Sequence, residues 1–325
     1  MSPQAALVDD DYELVDAGDA QLWSEWAALL TAEGWTSLDR PCKALVPTWP
    51  TIKCVFARRK SDGAHLSSVV WNENRGVAWI ATFLTSPHAR GLGLGTQVWQ
   101  RAMDRIEPTG LILGLCSVKD MVSKYKSQWT PFECGELYKC KLTSSELNMA
   151  SEKIREKHAD VINQGSTVLN VKESEVGLKA FLELDKATTY CDRADFWKKT
   201  LDVPQTEAFV LLGEKGQPLA LGAVSKTGHD QEQTFKLGPL FASHLAFFAC
   251  IVDVIAKHVL EDNDSPIFLI NLQNETAGDD LQKMLKEALP DFALLGPFPA
   301  LYSREYTASM DRSLCIITHA DQLDS

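Results

Sequence analysis

The sequence Arg90-Gly-Leu-Gly-Leu-Gly-Thr96 has glycine at alternate positions, between a strand-like apolar run and an amphipathic helical pattern. Glycines in this setting leave backbone N–H groups unobstructed, and a helix N-terminus favours negative charge at those groups. The segment therefore predicts a cradle for an anion such as a diphosphate.

Three nucleotide-binding patterns compete for this segment, and their spacing separates them. A Walker loop needs a lysine after its last glycine, whereas Gly95 is followed directly by Thr96. A dinucleotide fingerprint, Gly-x-Gly-x-x-Gly, requires glycine where Thr96 or Val98 stands. The pattern Gln/Arg-x-x-Gly-x-Gly/Ala fits, with Arg90, Gly93 and Gly95 in its fixed positions.

The elements around the segment favour the third pattern. Three β-rich runs separated by turn residues precede it, namely Ile52 to Arg58, Leu66 to Trp71 and Val77 to Leu84. Such runs predict an antiparallel meander, whereas a dinucleotide fingerprint follows the first strand of a parallel sheet. A helix that ends at Pro108 and an apolar strand, Leu111 to Leu115, come after the segment.

With these neighbours, the segment resembles the pyrophosphate loop of the GNAT superfamily of N-acetyltransferases, which bind acetyl-CoA. The resemblance spans Tyr12 to Leu142 in the order of elements and is most specific from Trp79 to Ile106. It implies an α/β (α+β) fold with a mixed, mostly antiparallel central sheet flanked by helices. The implied acetyl-CoA contacts are Phe83, Leu84, Thr85, Arg90, Gly91, Leu92, Gly93, Leu94, Gly95 and Thr96.

The resemblance also implies a catalytic tyrosine, whose hydroxyl faces the sulfur of CoA. Tyr125 stands at that position, and a phenol near its ordinary pKa can protonate a departing thiolate. The Gly-Phe pair that commonly follows this tyrosine is replaced by the segment from Gln128 to Phe132. Tyr125 is therefore either the acid or a packing residue.

The general base is less well marked. Some relatives carry a glutamate early in the strand before the loop, but Val77 to Thr82 contains no carboxylate. Glu73, His65 or a water chain are the alternatives, and Glu73 is the residue we assign to this role. Cys116 has no histidine nearby in sequence, so we expect a buried structural thiol rather than an acyl-enzyme nucleophile.

The second half repeats the order of elements without repeating the sequence, which indicates a degenerate tandem repeat. It resembles the C-terminal GNAT-like domain of a two-domain acetyltransferase family of bacteria and nematodes. The implied organisation is an acetyltransferase domain over 1–148, a linker over 149–165 and a GNAT-like domain over 166–325. The segment Lys236 to His244 replaces the glycine-rich loop there, with Ser243 as the expected helix cap, so we expect no second CoA site.

A polar cluster follows a helical segment of this second half. Its members are Asp185, Tyr190, Asp192 and Arg193. Such clusters usually form a solvated face. The alternative is that the cluster contacts the amine that accepts the acetyl group.

Composition limits the partners. The 325 residues include 45% apolar and 23% charged residues and carry a net charge of −12, which favours a globular chain and opposes nucleic-acid or membrane partners. The eight cysteines are scattered singly, without zinc spacing, and no segment has the pattern of a signal peptide or a membrane span. A cytoplasmic protein is expected, with the nucleus left open and no metal.

The expected activity follows from the resemblance. It is transfer of an acetyl group from acetyl-CoA to a primary amine by direct attack, through a tetrahedral intermediate held by a backbone N–H near Leu84. A non-catalytic acyl-CoA-binding or sensing module is the alternative. The acceptor is a small molecule or a peptide; the acidic composition suggests polyamines, amino sugars or lysine side chains, but neutral amino acids suit it equally. Acyl-chain length and oligomeric state stay open.

Overall fold

The structure, a computed structural model, describes residues 11–35, 39–162, 165–228, 233–307 and 312–317. Within these ranges the strands are β1 Tyr12–Val15, β2 Ile52–Arg59, β3 His65–Asn74, β4 Val77–Thr85, β5 Ile112–Cys116, β6 Phe132–Thr143, β7 Thr167–Asn170, β8 Thr206–Leu212, β9 Pro218–Lys226, β10 Thr234–Ala242, β11 Ile267–Gln273, β12 Leu295–Tyr302 and β13 Cys315–Ile317. The helices are α1 Ala20–Ala32, α2 Arg40–Leu45, α3 Leu94–Ile106, α4 Val122–Gln128, α5 Ser144–Lys157, α6 Glu175–Thr189, α7 Ala194–Leu201, α8 Leu245–Glu261 and α9 Gly278–Ala288. The predicted α/β class is confirmed.

The strands form one mixed sheet in which each half repeats the same arrangement. The meander predicted for the first half is present, because β1 to β4 pair antiparallel in chain order and β5 then lies parallel to β4. In the second half β7 to β10 pair antiparallel in order and β11 lies parallel to β10. The recurrence seen in the sequence is therefore a repeat of the fold.

The two halves exchange their last long strands. β12, from the second half, lies between β5 and β6, and β6, from the first half, pairs with β11 over seven residue pairs. Helix α5 follows β6 directly, and its buried residues Leu147, Ala150 and Ile154 belong to the core around α8 and α9. The expected linker over 149–165 thus contains most of a helix with a buried face, and the domain boundaries stay a prediction.

Helices cover both faces of the sheet. Helices α3 and α4 share a core with the first-half strands, and α1, α2, α6 and α7 share another core on the opposite face. In the latter, Trp49 of the first half meets Phe196 of the second, with ring centroids 5.6 Å apart. The helices between β1 and β2, and those between β7 and β8, therefore pack between the two halves.

The polar cluster predicted at a solvated face is buried in part, so that prediction was wrong for two of its members. Asp185 is 1% exposed and forms a bidentate ion pair with the guanidinium of Arg193. The guanidinium also lies over the rings of Phe196 and Trp197. A buried carboxylate needs such a partner, because an unpaired charge is costly in the interior. Tyr190 remains exposed.

Across the described ranges, the structure contains no helix that is both long enough and apolar enough to cross a membrane. The apolar run from Leu240 to Val259 is divided between the end of β10 and helix α8.

Candidate active site

The glycine-rich loop has the backbone geometry of a ligand cradle. Gly91 and Gly93 adopt φ angles of 81° and 80°, and a Cβ atom on either would meet nothing within 4 Å. Gly93 is also the N-cap of α3 and provides no side-chain acceptor for the first-turn N–H groups. The Thr96 N–H donates to the Gly93 carbonyl oxygen at 3.1 Å, while the N–H groups of Leu94 and Gly95 lie at the helix N-terminus, where a phosphate is favoured.

The rest of the loop is anchored to the end of β4. A Cβ atom on Gly95 would lie 3.2 Å from both Phe83 Cζ and Thr85 Oγ1, so the glycine allows α3 to approach the strand closely. Leu94 is fully buried and Leu92 packs against the same core. The side chains of this segment thus hold the loop in place, and its backbone remains for a ligand.

The guanidinium of Arg90 is held by contacts with the protein itself. Its Nε donates to the carbonyl oxygen of Thr85 at 3.1 Å, and its Nη2 forms an ion pair with Glu33 at the end of α1. The arginine of the pattern therefore ties the loop to β4 and α1. These contacts fix the position of the loop backbone.

A split between β4 and β5 opens beside this loop. The two strands pair only from Val77–Ile112 to Ile80–Leu115, while β4 continues to Thr85 along β3. Ala81 is an extra residue in the β3 pairing, which bulges the strand at the point where the split begins. The predicted contacts Phe83, Leu84 and Thr85 lie along this split.

A series of contacting aromatic rings connects Tyr125 to the split. Trp99 of α3 has its ring centroid 5.3 Å from those of both Phe83 and Tyr125, and 4.8 Å from that of Trp129. The structure therefore brings Tyr125, the loop and the end of β4 into one core. Within the described residues, the buried indole N–H of Trp99 has no hydrogen-bond partner.

The electrostatics of Tyr125 differ from the sequence-based expectation of a phenol near its ordinary pKa. Burial raises the pKa of Tyr125 to about 12, because a phenolate would lose its hydration in this aromatic core. The hydroxyl therefore keeps its proton throughout the physiological range. It is suited to donate a hydrogen bond rather than to release the proton.

The structure does not bring Glu73 to this site. Glu73 lies opposite Ala78, at the far end of β4 from the loop, and accepts a hydrogen bond from Trp71 Nε1 at 2.9 Å. Arg105, near the C-terminal end of α3, stacks on Trp71. The role of Glu73 as a base stays a prediction, with no contact that favours it.

His65, the other sequence-based candidate for the base, is buried with both ring nitrogens engaged. Its Nδ1 lies 3.1 Å from Ser86 Oγ and its Nε2 lies 2.9 Å from Ser68 Oγ. Burial lowers the pKa of His65 to about 4, so the ring is neutral at physiological pH. A water chain remains as the third sequence-based candidate for the general base.

Cys116 was expected to be buried and is exposed, so that expectation was wrong. It is the first residue of β5 beyond the pairing with β4, and its Sγ lies 3.6 Å from the Phe298 carbonyl oxygen. The surrounding protein nevertheless raises the pKa of the thiol to about 11. With its pKa raised, the thiol is protonated and weakly nucleophilic at neutral pH.

In the second half, the place equivalent to the split is filled by the chain itself. β10 and β11 separate after Leu237, and β13 then pairs with β10 at Leu240 and Phe241. The cap of α8 is His244, whose Nδ1 accepts from the Ala246 N–H at 3.1 Å, and not Ser243 as the sequence suggested. β13 therefore covers part of the β10 edge at the place where β4 is left unpaired by β5 in the first half, and the absence of a second CoA site stays a prediction.

The chain is similar to several known proteins. No protein-family model matches the chain. The uncharacterized protein F36G3.2 of Caenorhabditis elegans is 27% identical over 304 residues, which is 93% of each chain. A putative acetyltransferase from Pyrococcus horikoshii superposes with a TM-score of 0.62 at 14% identity, covering 98% of both chains. A tandem GNAT protein from the clavulanic acid biosynthesis pathway gives a TM-score of 0.59 at 13% identity, covering 90% of this chain and 97% of its own.

The chain therefore has the tandem GNAT fold, as the loop and the order of elements predicted. That fold is one used by proteins named acetyltransferases, including a GCN5-related N-acetyltransferase from Sphaerobacter thermophilus, with a TM-score of 0.57 at 12% identity, covering 91% of this chain and 96% of that one. At these identities the likeness establishes the fold and not the reaction.

Proposed function

We propose that this protein is an acetyl-CoA-dependent N-acetyltransferase that acetylates a primary amine at the first-half site. The observation that carries the proposal is the position of the glycine cradle at the open end of the β4–β5 split. An anion-binding helix terminus next to an unpaired strand edge suits a ligand with a diphosphate at one end and an amide-bearing arm.

The residues of the site have distinct tasks. The backbone from Gly91 to Thr96 would hold the diphosphate, and the β4 edge from Ala81 to Thr85 would pair with the amides of the arm. Bound acetyl-CoA supplies an acetyl group activated as a thioester. A neutral amine nitrogen bonds to the acetyl carbon while the carbon–sulfur bond breaks with its electron pair on sulfur, and the proton lost by nitrogen ends on the thiol. A backbone N–H near Leu84 would donate to the carbonyl oxygen during this step.

Tyr125 assists by donating a hydrogen bond to the departing sulfur. Its pKa of about 12 lies roughly 3.5 units above that of an ordinary thiol, so complete transfer of its proton to the thiolate is uphill by about 5 kcal/mol. The proton released by the nitrogen therefore reaches the thiolate through solvent, and the hydroxyl stabilises charge as it develops on sulfur.

Replacing Tyr125 by phenylalanine tests this assignment. We expect kcat to fall about 10-fold to 100-fold while the KM for acetyl-CoA changes less than about twofold, because the ring packing is retained. Tyr138→Phe, which removes a hydroxyl bonded to Glu136 at 2.7 Å, is the matched control and should leave both constants unchanged. An unchanged kcat in the Tyr125 variant would make Tyr125 a packing residue.

The pH dependence of the rate should follow the amine rather than the enzyme. His65, Cys116 and Tyr125 have pKa values of about 4, 11 and 12, so none of them titrates between pH 6 and 9. The neutral fraction of an alkylamine increases tenfold per pH unit below its own pKa of about 10.4. We expect log kcat/KM to rise with unit slope from pH 6 to 9. A plateau near pH 7 that disappears in Glu73→Gln would instead assign the base to Glu73.

One observation favours the second candidate, a non-catalytic module that binds acyl-CoA. Neither β4 nor β5 contains a carboxylate or an imidazole, so the described edges of the split offer no general base. Thiol release from acetyl-CoA over a panel of amines, measured beside CoA binding by calorimetry, separates the candidates. Binding without thiol release would support the module, and release that depends on an amine would support the enzyme.

A further inference from the structure

Three aromatic side chains form a wall at the base of the split. We define the aromatic wall as Trp79, Tyr302 and Tyr306. The ring centroids of Trp79 and Tyr302 are 5.8 Å apart, and Tyr302 stacks on Tyr306 with centroids 4.5 Å apart and an interplanar angle of 28°. Trp79 comes from β4 immediately before the split, and Tyr302 is the last residue of the exchanged strand β12. The wall therefore joins the two halves of the chain.

The wall lies on the face of the sheet opposite α3 and α4. Leu115 and Leu301 pack in the core with α3, and side chains alternate between faces along a strand. Gly114 and Tyr302 therefore belong to the opposite face. A Cβ atom on Gly114 would lie 2.7 Å from Trp79 Cε3 and 3.1 Å from Tyr302 Cε1. The glycine thus gives the two rings room to meet over β5.

The exposed residue Cys116 lies beside this wall. Cys116 follows the last β4–β5 pair and lies on the same face as Gly114, two residues earlier in β5. The nucleophile has to reach the split from a side that α3 and α4 leave open. The exposed end of β5 at Cys116 lies on that side, with aromatic rings next to it.

Tyr302 contributes a polar group to the wall. Its side chain is only 6% exposed, and its hydroxyl is not one of the fully buried side-chain atoms without a partner in the described residues. Burial raises the pKa of Tyr302 above its ordinary range, so the hydroxyl is neutral. A neutral hydroxyl on a ring of the wall can donate to a ligand that packs there.

The charges around the wall do not favour a polycation. Arg312 Nη1 pairs with Glu275 at 2.8 Å, and Arg312 Nη2 lies 3.7 Å from Cys134 Sγ. Lys139 lies over the ring of Phe298, 5.4 Å from its centroid, and near Cys116. Two cationic side chains thus lie beside the wall, and the carboxylate of Glu275 is held by Arg312. A polyamine or a protonated amino sugar needs carboxylates instead.

We propose that the acceptor is a primary amine carried on an aromatic group, which packs against the aromatic wall with its nitrogen directed to the exposed end of β5 at Cys116. The inference rests on the proposed function and names the acceptor class for that site. It differs from the polyamines, amino sugars and lysine side chains that the acidic composition suggested. Contact between aromatic rings provides affinity for such an amine. The cationic side chains near the wall repel multiply charged amines.

The test is a comparison of initial rates for the full chain with acetyl-CoA. The aromatic amines are 2-phenylethylamine and tryptamine, and the other amines are spermidine and glucosamine. We expect kcat/KM for the aromatic amines to be at least about 10-fold higher, since an aromatic pair and its buried area together exceed that factor. Equal or higher rates with spermidine or glucosamine would overturn the inference.

Two variants test whether the preference for aromatic amines arises at the aromatic wall. Tyr306→Leu should raise the KM for 2-phenylethylamine about 10-fold with a smaller change in kcat, whereas Tyr138→Leu, a ring outside the wall, should not. Gly114→Ala forces Trp79 and Tyr302 apart and should raise the same KM if Tyr306→Leu fails to fold. An unchanged KM in a folded Tyr306→Leu or Gly114→Ala protein would remove the wall from the acceptor site.

CoA binding by calorimetry distinguishes a failure of the inference from a failure of the proposed function. If CoA binds and a non-aromatic amine is preferred, only the acceptor class is wrong. If CoA binds and no amine in the panel is acetylated, the inference is overturned and the sensing module is supported. If CoA does not bind at all, both proposals fall.

Discussion

Gly93→Val is expected to lower the affinity for CoA by at least about 100-fold and to leave the protein folded. Gly93 has a φ of 80° at the N-cap of α3, and the space beyond its missing Cβ is open. Valine there places a branched side chain in the volume that the cradle offers to a diphosphate. The loss corresponds to roughly 2.7 kcal/mol, within the range of losing charge-assisted hydrogen bonds to a phosphate.

Backbone strain accompanies this substitution and has to be separated from exclusion of the ligand. Gly110 is a matched control, because its φ is 73°, a Cβ atom there also meets nothing within 4 Å, and it lies beyond the opposite end of α3. Both variants should lose a similar amount of thermal stability, about 1 to 3 kcal/mol. Only Gly93→Val should lose CoA binding in calorimetry. If it binds CoA as tightly as the unmodified protein, the cradle assignment is wrong.

The sequence predicted this part of the molecule well because the signals are local. Alternate glycines next to an apolar strand and an amphipathic helix constrain φ angles, spacing and polarity within about thirty residues, and the structure repeats that arrangement. The contacts of Arg90 were harder to predict from the sequence. Its partners are a carbonyl five residues away and Glu33, 57 residues away, and no local pattern indicates that second contact.

Other features depend on contacts between distant segments and could not be read from patterns. The strand pattern of β6 is equally compatible with β5 or β11 as a neighbour, so the exchange of strands has no sequence signature. The pKa of Tyr125 depends on Trp99 and Trp129 around it, and the aromatic wall combines residues more than 200 positions apart. Asp185 and Arg193 looked like surface residues because their pairing and burial arise only when α6 and α7 pack.

The exchange of strands predicts that neither half folds alone. A piece ending at residue 162 contains β5 without its neighbour β12, and it contains β6 without its neighbours β12 and β11. It also exposes the apolar face of α5, whose buried residues include Leu147 and Ile154. The remaining piece lacks the strand that covers β11. Unpaired strand edges next to exposed apolar surface lead to aggregation, so we expect each piece to be insoluble or unfolded when it is expressed by itself.

Co-expression of the two pieces should restore the fold, because the break lies between α5 and β7 and removes no strand pairing. The pieces should elute together in size-exclusion chromatography and bind one CoA per pair with the affinity of the intact chain. Circular dichroism and calorimetry measure both properties. A soluble, folded first piece that binds CoA without its partner would show that β12 is dispensable. Because β12 also contributes Tyr302 to the aromatic wall, such a piece should still acetylate aromatic amines poorly, and that difference separates the structural role of the strand from its role at the acceptor site.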